Sequence, residues 1–313
     1  MADNSTKDLV IIGGGPAGLA ASIYAARALL DSVTLEQQAY GGQVLLTSEI
    51  DNYPGVPNAD GYSLIEAMRQ QAKDLGAQLA TAEVSSITKD QDEFVLQTSE
   101  QELRTRAIIL AAGAVPRHAG FEGEQAYVGR GVSYCATCDG MFFRNREVFV
   151  IGGGNSAVEE ALFLTRFASH VTLVVRKDHL RAQAVLAAEL ERNDKASIRY
   201  LTSITRVSGE QAINQITFRN NETGETYEET FQTGAGVFVF VGRVPTSELV
   251  RDLVETTPEG YVVTDAYMAT RTPGIYAAGD VRNTPLRQIV TAAADGAIAA
   301  TNVSAYLGHP VYE

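Results

Sequence analysis

Cysteine is scarce in this chain: two in 313 residues, Cys135 and Cys138. So few exclude the disulfide framework of a small secreted domain, and their CxxC spacing points to redox or metal chemistry. Histidine is equally sparse. The four present, His118, His170, His179 and His309, form no HxxxH pair, so a four-ligand zinc site has little to draw on. Basic charge is short as well. Against 38 Asp and Glu stand 25 Lys and Arg, and the net charge of -13 repels phosphate backbones, which sets nucleic acid aside as a partner. Long apolar runs are missing too: the best, AIILAAGAV from Ala107 to Val115, is about half of what a spanning helix needs. The N-terminal MADNSTKD lacks the basic region and apolar core of an export signal. These absences set up the expectation of a cytoplasmic protein that engages no membrane. With 45% hydrophobic residues, a chain of this length exceeds the usual single core, and two domains are expected.

What the sequence does contain is a repeat. DLVIIGGGPAGLAASIYAARALLDSVTLE reads as an apolar strand, a glycine turn (Gly13, Gly15, Gly18), an alanine-rich helix and a second strand ending at Glu36. From Glu147 the same grammar returns as EVFVIGGGNSAVEEALFLTRFASHVTLVVRK, with Gly152, Gly154 and Ala157 at the matching offsets. In such units the first glycine permits the tight turn, the second lets backbone N–H groups approach a pyrophosphate, and the third allows close packing. The helix N-terminus adds its partial positive charge. The predicted class is α/β, with two Rossmann-like dinucleotide-binding units of three-layer ββα type.

The copies differ where ribose specificity is set. Glu36 suits a free ribose 2'-hydroxyl, as in FAD. At the equivalent position the second unit has Val175, followed by Arg176, Lys177 and Arg181, which favour a 2'-phosphate and hence NADPH. Near the C-terminus a strand, Ile275 to Ala278, ends in Gly279 and Asp280, a carboxylate placed to accept from ribitol hydroxyls or orient water on a pyrophosphate. The segment that follows reads as a helix whose N-terminus is suited to face a flavin pyrimidine edge. The CxxC itself, read alone, stays open among a metal clip, a structural staple and a disulfide that cycles.

Taken together, GGGPAG (13–18), GGQ (41–43), NYPG (52–55), AAGAVPR (111–117), CATCDG (135–140), GGGNSAVEEA (152–161), RKDHLRA (176–182), FVGRVP (240–245), AAGDVR (277–282) and RQIVTAAADG (287–296) resemble the low-molecular-weight, bacterial-type thioredoxin reductases essentially end to end. The resemblance implies a homodimer with a discontinuous FAD domain, 1–117 and 245–313, and an NADPH domain, 118–244, that carries the CxxC. It places FAD against Gly13, Gly15, Pro16, Ala17, Gly18, Glu36, Gly42, Gln43, Asn52, Val84, Gly113, Gly279, Asp280, Arg287, Gln288 and Ile289. NADPH is placed against Gly152, Gly154, Asn155, Ser156, Ala157, Arg176, Lys177, Arg181, Gly242 and Arg243. It also implies that Cys135 attacks the thioredoxin disulfide, that Cys138 faces the flavin, and that Asp139 shuttles the proton. A carboxylate beside a thiol in a closed site has its pKa raised by desolvation, which suits that task. Cys138 precedes Gly152 by only 14 residues, so disulfide and nicotinamide share one domain while the flavin belongs to the other. The resemblance answers this with rotation of the central domain, hinged near Ala114–Gly120 and Gly242–Thr246.

Two departures keep alternatives in view. Val175-Arg176-Lys177 replaces the HRR common in these reductases, and the chain ends GHPVYE, with His309 and Tyr312 as potential stacking groups. Relatives that take electrons from ferredoxin carry an aromatic C-terminal tail, so ferredoxin is the second candidate donor. A flavin-binding redox sensor is the third reading.

Overall fold

The computed structural model describes residues 6–46, 50, 52–57 and 59–309. The chain divides into two compact units, Met1–Val115 with Val244–Glu313, and Pro116–Arg243.

The first unit opens with β1 (Lys7–Ile12), α1 (Pro16–Arg27) and β2 (Ser32–Glu36), with β2 parallel to β1. Next comes α2 (Gly61–Asp74), capped by Asp60, whose carboxylate accepts the Ser63 N–H at 2.8 Å. The edge strand β3 (Gln78–Thr81) follows, then an antiparallel meander of β4 (Val84–Asp90), β5 (Glu93–Thr98) and β6 (Glu102–Leu110). The distal half of β6 runs parallel to β1. Side chains alternate across a strand. Thus Leu9 and Ile11 pack with Ala17, Ala21 and Ala25 of α1, whereas Val10 and Ile12 pack with Phe94 and Leu96 of the meander. Both faces are covered, which is why β1 reads as an unbroken apolar run.

The chain leaves this unit through β7 (Ala114–Pro116). The second unit runs β8 (Val132–Ser133), α3 (Ala136–Asp139), β9 (Glu147–Ile151), α4 (Asn155–Leu164), β10 (His170–Val174), α5 (Ala184–Glu191) and β11 (Ala196–Arg199). An antiparallel sheet of β12 (Thr202–Ser208), β13 (Gln215–Asn220) and β14 (Thr226–Thr230) comes next, and β15 (Ala235–Val239) re-enters the parallel sheet, whose order is β11-β10-β9-β15-β8. Val148 and Val150 of β9 face Ala157, Val158 and Ala161 of α4; Phe149, fully buried, faces Ile204 and Phe218 of the antiparallel sheet. Truncating a phenylalanine so enclosed costs about 3–5 kcal/mol.

The return strand β16 (Arg243–Pro245) pairs with β7, so exit and re-entry lie side by side. Back in the first unit, β17 (Ile275–Ala277) pairs in parallel with the end of β6, and α6 (Ile289–Tyr306) packs on α1. Their approach is close: a Cβ on Gly296 would lie 2.0 Å from the Ala17 carbonyl oxygen, so the crossing depends on glycine there. Each unit is therefore three-layered, with helices, a parallel sheet and an antiparallel β layer, as the repeat predicts.

Candidate functional site

The two glycine turns show which glycines the protein needs for itself and which it keeps bare. Gly13 has φ +109°, and a Cβ there would sit 2.4 Å from the Ala111 carbonyl oxygen; one on Gly18 would sit 1.8 Å from that of Gly13. Packing dictates both. Gly15 is different: its φ of −76° is ordinary, and the nearest atom to a Cβ would be the Gly41 oxygen at 4.0 Å. No neighbour forbids a side chain there, so the missing one leaves room for a group the chain must admit. Gly15 is also the N-cap of α1, with no side-chain cap, Pro16 at the first position and no acid in the first turn, so the first free N–H groups, near Ala17 and Gly18, remain open to an anion. Glu36, at the end of β2, accepts the Gly14 N–H at 2.7 Å and the Gln38 N–H at 3.0 Å. Both oxygens are thereby oriented, and each keeps a lone pair for a ribose hydroxyl. Val84 is buried at the start of β4, and Ala82 just before it donates its N–H to the Glu36 carbonyl.

Residues far apart in sequence gather around this turn. The Gly41 N–H donates to the Gly14 carbonyl, which brings Gly42 and Gln43, at the start of a short 3-10 turn, onto it. Gly279 (φ +76°) comes so close that a Cβ would lie 3.0 Å from that of Ala17, which places Asp280 beside the start of α1. Its loop is held from behind by Asp295 of α6, whose Oδ2 accepts both the Gly279 N–H and the Arg282 guanidinium, each at 3.1 Å; Arg282 Nε also donates to Thr264 Oγ1. Neither Arg282 nor Asp295 exceeds 12% side-chain exposure. Gln288 caps α6 in a reciprocal box with Thr291, beside Ile289, and accepts from Asn52 Nδ2 at 3.1 Å. Arg287 stacks on the Tyr261 ring at 4.2 Å, yet its buried Nε has no hydrogen-bond partner among the described residues. A guanidinium N–H left this way carries a desolvation cost that a bound acceptor would relieve. Gly113 (φ +69°) accepts the Thr246 N–H at the crossing. The residues fit an adenine dinucleotide with a free ribose hydroxyl.

The second turn repeats the design with one exchange. Gly152 is forced by packing, since a Cβ would lie 2.5 Å from that of Ala157, whereas a Cβ on Gly154 would meet nothing within 4 Å. Val175 occupies the place of Glu36, with its methyl 3.2 Å from the Cβ position of Gly153. The Arg181 N–H donates to the Gly153 carbonyl at 2.7 Å, and Asn155 Oδ1 accepts the Gln183 N–H, so the 176–183 loop folds onto the turn. Arg176, Lys177 and Arg181 are exposed there, and among the described residues their side chains make no hydrogen bond or ion pair; Ser156 is exposed in the first turn of α4. An apolar wall with three exposed cations fits a phosphorylated ribose. Gly242 (φ +113°) and Arg243 lie at the re-entry strand.

Between β8 and β9, Cys135 and Cys138 form a disulfide (S–S 2.07 Å), with Cys135 as N-cap of α3 and Cys138 within its single turn. Asp139 is mostly buried behind it. Burial pushes its carboxyl above the usual carboxylate range, and a hydrogen bond from Ser133 Oγ at 2.7 Å pulls it partly back. Cys135 Sγ lies 3.4 Å from Thr137 Oγ1. Upstream, the buried Glu124 carboxylate accepts from the Ala119 and Gly120 N–H groups and from Tyr134 OH, tying the entry segment to the residue before Cys135. Among the described residues no cluster of three His, Cys, Asp or Glu is placed to hold a metal.

Residues 7–296 match the family model for pyridine nucleotide-disulphide oxidoreductases. The chain belongs to that family. Among its relatives as a pyridine nucleotide-disulphide oxidoreductase, a thioredoxin reductase of Peptoclostridium acidaminophilum is 44% identical over 304 residues, covering 96% of each chain. One of Bacillus subtilis is 42% identical over 308 residues, covering 98% of this chain and 96% of the relative. The crystal structure of thioredoxin reductase from Streptococcus pyogenes superposes with a TM-score of 0.89 at 41% identity, covering 98% of this chain and 99% of that one. This member of the family is an oxidoreductase with FAD and NADPH as cofactors. No helix among the described residues is long and apolar enough to cross a membrane. His309 ends α6 by donating its N–H to the Ser304 carbonyl; Tyr312 lies outside the described residues. Sequence reasoning passed over Ser133, Arg282 and Asp295. A lone serine before the CxxC and an ion pair spanning the start of α6 carry no spacing signature.

Proposed function

We propose that this chain is an NADPH-dependent thioredoxin-disulfide reductase of the cytoplasm, working as a homodimer. The observation that carries the reading is the Cys135–Cys138 disulfide, with the half-buried Asp139 carboxyl next to it in the chain, in the same unit as the cation-flanked glycine turn. The unit Met1–Val115 with Val244–Glu313 is the FAD domain and Pro116–Arg243 the NADPH domain. FAD, when bound, relays two electrons from the nicotinamide to the disulfide. Gly15, Glu36, Asp280 and Arg287 serve the first cofactor, and Gly154, Arg176, Lys177 and Arg181 the second. Cys135 is the thiolate that attacks the thioredoxin disulfide, Cys138 resolves the mixed disulfide, and Asp139 carries the proton. Because disulfide and nicotinamide turn share one unit, they take turns at the flavin by rotation of that unit, hinged near Ala114–Gly120 and Gly242–Thr246.

Anaerobic titration tests this. NADPH is expected to bleach the flavin band of the oxidised protein, and added thioredoxin to restore it. Reduction by ferredoxin with no response to NADPH would overturn the donor assignment. A Cys138→Ser variant that reduced thioredoxin at the native rate would overturn the disulfide route.

A further inference from the structure

Ser133 is the last residue of β8 and is 4% exposed. Its Oγ accepts the Cys135 N–H at 3.1 Å and lies 3.2 Å from the Cys135 carbonyl oxygen and 2.7 Å from Asp139 Oδ2. A hydroxyl has one proton to give. Of the two acceptors the carboxylate is nearer and, once ionised, the stronger, so the proton goes to Asp139. One side chain thus fixes the peptide of the attacking cysteine and the carboxyl that serves it.

Among the described residues no other side chain bonds both the Cys135 peptide and the Asp139 carboxyl. The charged groups on the elements packed around α3 are Glu159 and Glu160 of α4, and Arg144 and Arg146 after the 140–143 turn. At Asp139 burial raises the carboxyl and the Ser133 hydrogen bond lowers it, in that order of size.

We propose that Ser133 is a positioning residue for disulfide exchange: its hydroxyl, bonded to both, holds the Asp139 carboxyl against the Cys135 peptide. This rests on the reading of Asp139 as proton carrier. In the step concerned, the Cys135 thiolate attacks the thioredoxin disulfide, forming the mixed disulfide and releasing one thioredoxin thiolate, which takes the proton of Asp139. The Asp139 carboxylate then takes the Cys138 thiol proton. The Cys138 thiolate attacks Cys135 Sγ, which closes the enzyme disulfide and releases the second thioredoxin thiolate. Two electrons pass to thioredoxin, and Asp139 ends protonated as it began. Without the Ser133 hydroxyl the carboxylate stage is disfavoured, and recovery of the Cys138 proton needs a higher pH.

The test is the pH dependence of kcat and KM for thioredoxin reduction by Ser133→Ala, Ser133→Thr and Asp139→Asn, with each variant first shown to be assembled by NADPH bleaching of its flavin. In Ser133→Ala the inflection belonging to Asp139 is expected to move up by about one pH unit or more, the worth of a hydrogen bond to a charged group. It should appear in kcat with KM little changed, and Ser133→Thr should restore the native position. If Asp139→Asn removes the inflection but Ser133→Ala leaves it in place, or if the Thr variant shifts as far as Ala, the Ser133 proposal is wrong. If Asp139→Asn keeps the native profile, the underlying reading of Asp139 fails instead.

Discussion

Consider removing one partner of the Arg282–Asp295 pair behind the Gly279–Asp280 loop. At 3.1 Å and an effective dielectric of about 20, the two charges attract by about 5 kcal/mol. Taking each ion out of water costs several kcal/mol, so the intact pair nearly breaks even against an apolar replacement. A single deletion does not break even. Asp295→Ala leaves a guanidinium at 12% exposure with Thr264 as its one remaining side-chain partner among the described residues, and also frees the Gly279 N–H; Arg282→Met strands the carboxylate. Each should cost about 3 kcal/mol, which for a unit of this size lowers the melting midpoint by about 6–12 °C. The double variant should melt no lower than the worse single one, because neither charge is left uncompensated. The release of flavin fluorescence on heating reports this unit, and circular dichroism of the whole chain provides the control. Single variants within 2 °C of the native midpoint, or a double variant losing the sum of both, would refute the account of this pair as a buried brace; the threshold of about 2 °C corresponds to less than about 1 kcal/mol.

Three further outcomes are expected. Arg176→Ala should raise the KM for NADPH about 10- to 100-fold through loss of a charge-assisted bond, while NADH kinetics stay put; equal effects on both would mean the cation does not read the 2'-phosphate. Gly154→Val should leave the melting midpoint within about 1–2 °C of native, since nothing lies within 4 Å of its Cβ position, while NADPH binding by fluorescence titration collapses; Gly152→Val should instead lower the midpoint by about 4 °C or more through overpacking. The Glu160 carboxyl is pushed up to about 7, by burial first and by the Glu159 charge second. The native state therefore holds this proton more tightly than the unfolded chain, and stability drains away as pH rises from about 4.5 to about 7. Glu160→Gln should accordingly melt higher than native at about pH 8, with the advantage vanishing below about pH 4.5; an equal gain at both ends would contradict a titration effect.

The parallel cores were legible because a strand covered on both faces is apolar throughout: LVII and VFVI announce themselves, and the glycine turns after them fix where α1 and α4 begin. The meander of β4, β5 and β6 and the β12–β14 sheet carry a weaker sign. Their outward residues are polar, as in TRVS and QITFRN, so only a period of two separates them from loop, and their pairing is decided by cover for Phe94, Leu96 and Phe218. Within the site, Glu36 and Val175 could be placed by counting, because both sit one strand beyond a glycine turn. Ser133, Arg282, Asp295 and Glu124 could not. Ser133 and Glu124 bond within ten residues of themselves but in no recurring spacing, and the Arg282–Asp295 pair joins a loop to α6 only once β17 has docked.

The chain's path through the two units also shapes its synthesis. β6 emerges early, but its partner β17 lies 165 residues downstream from Leu110 to Ile275, beyond the whole of the unit Pro116–Arg243. At roughly 5–20 residues per second, the ribosome leaves that strand edge and the apolar side of α1 uncovered for on the order of 10–30 s. The inserted unit has all of its strands first and completes itself while its host waits. Nascent chains should therefore present the edge of β6 as the segment most exposed to wrong pairing, and the arrival of α6 as the event that ends the risk.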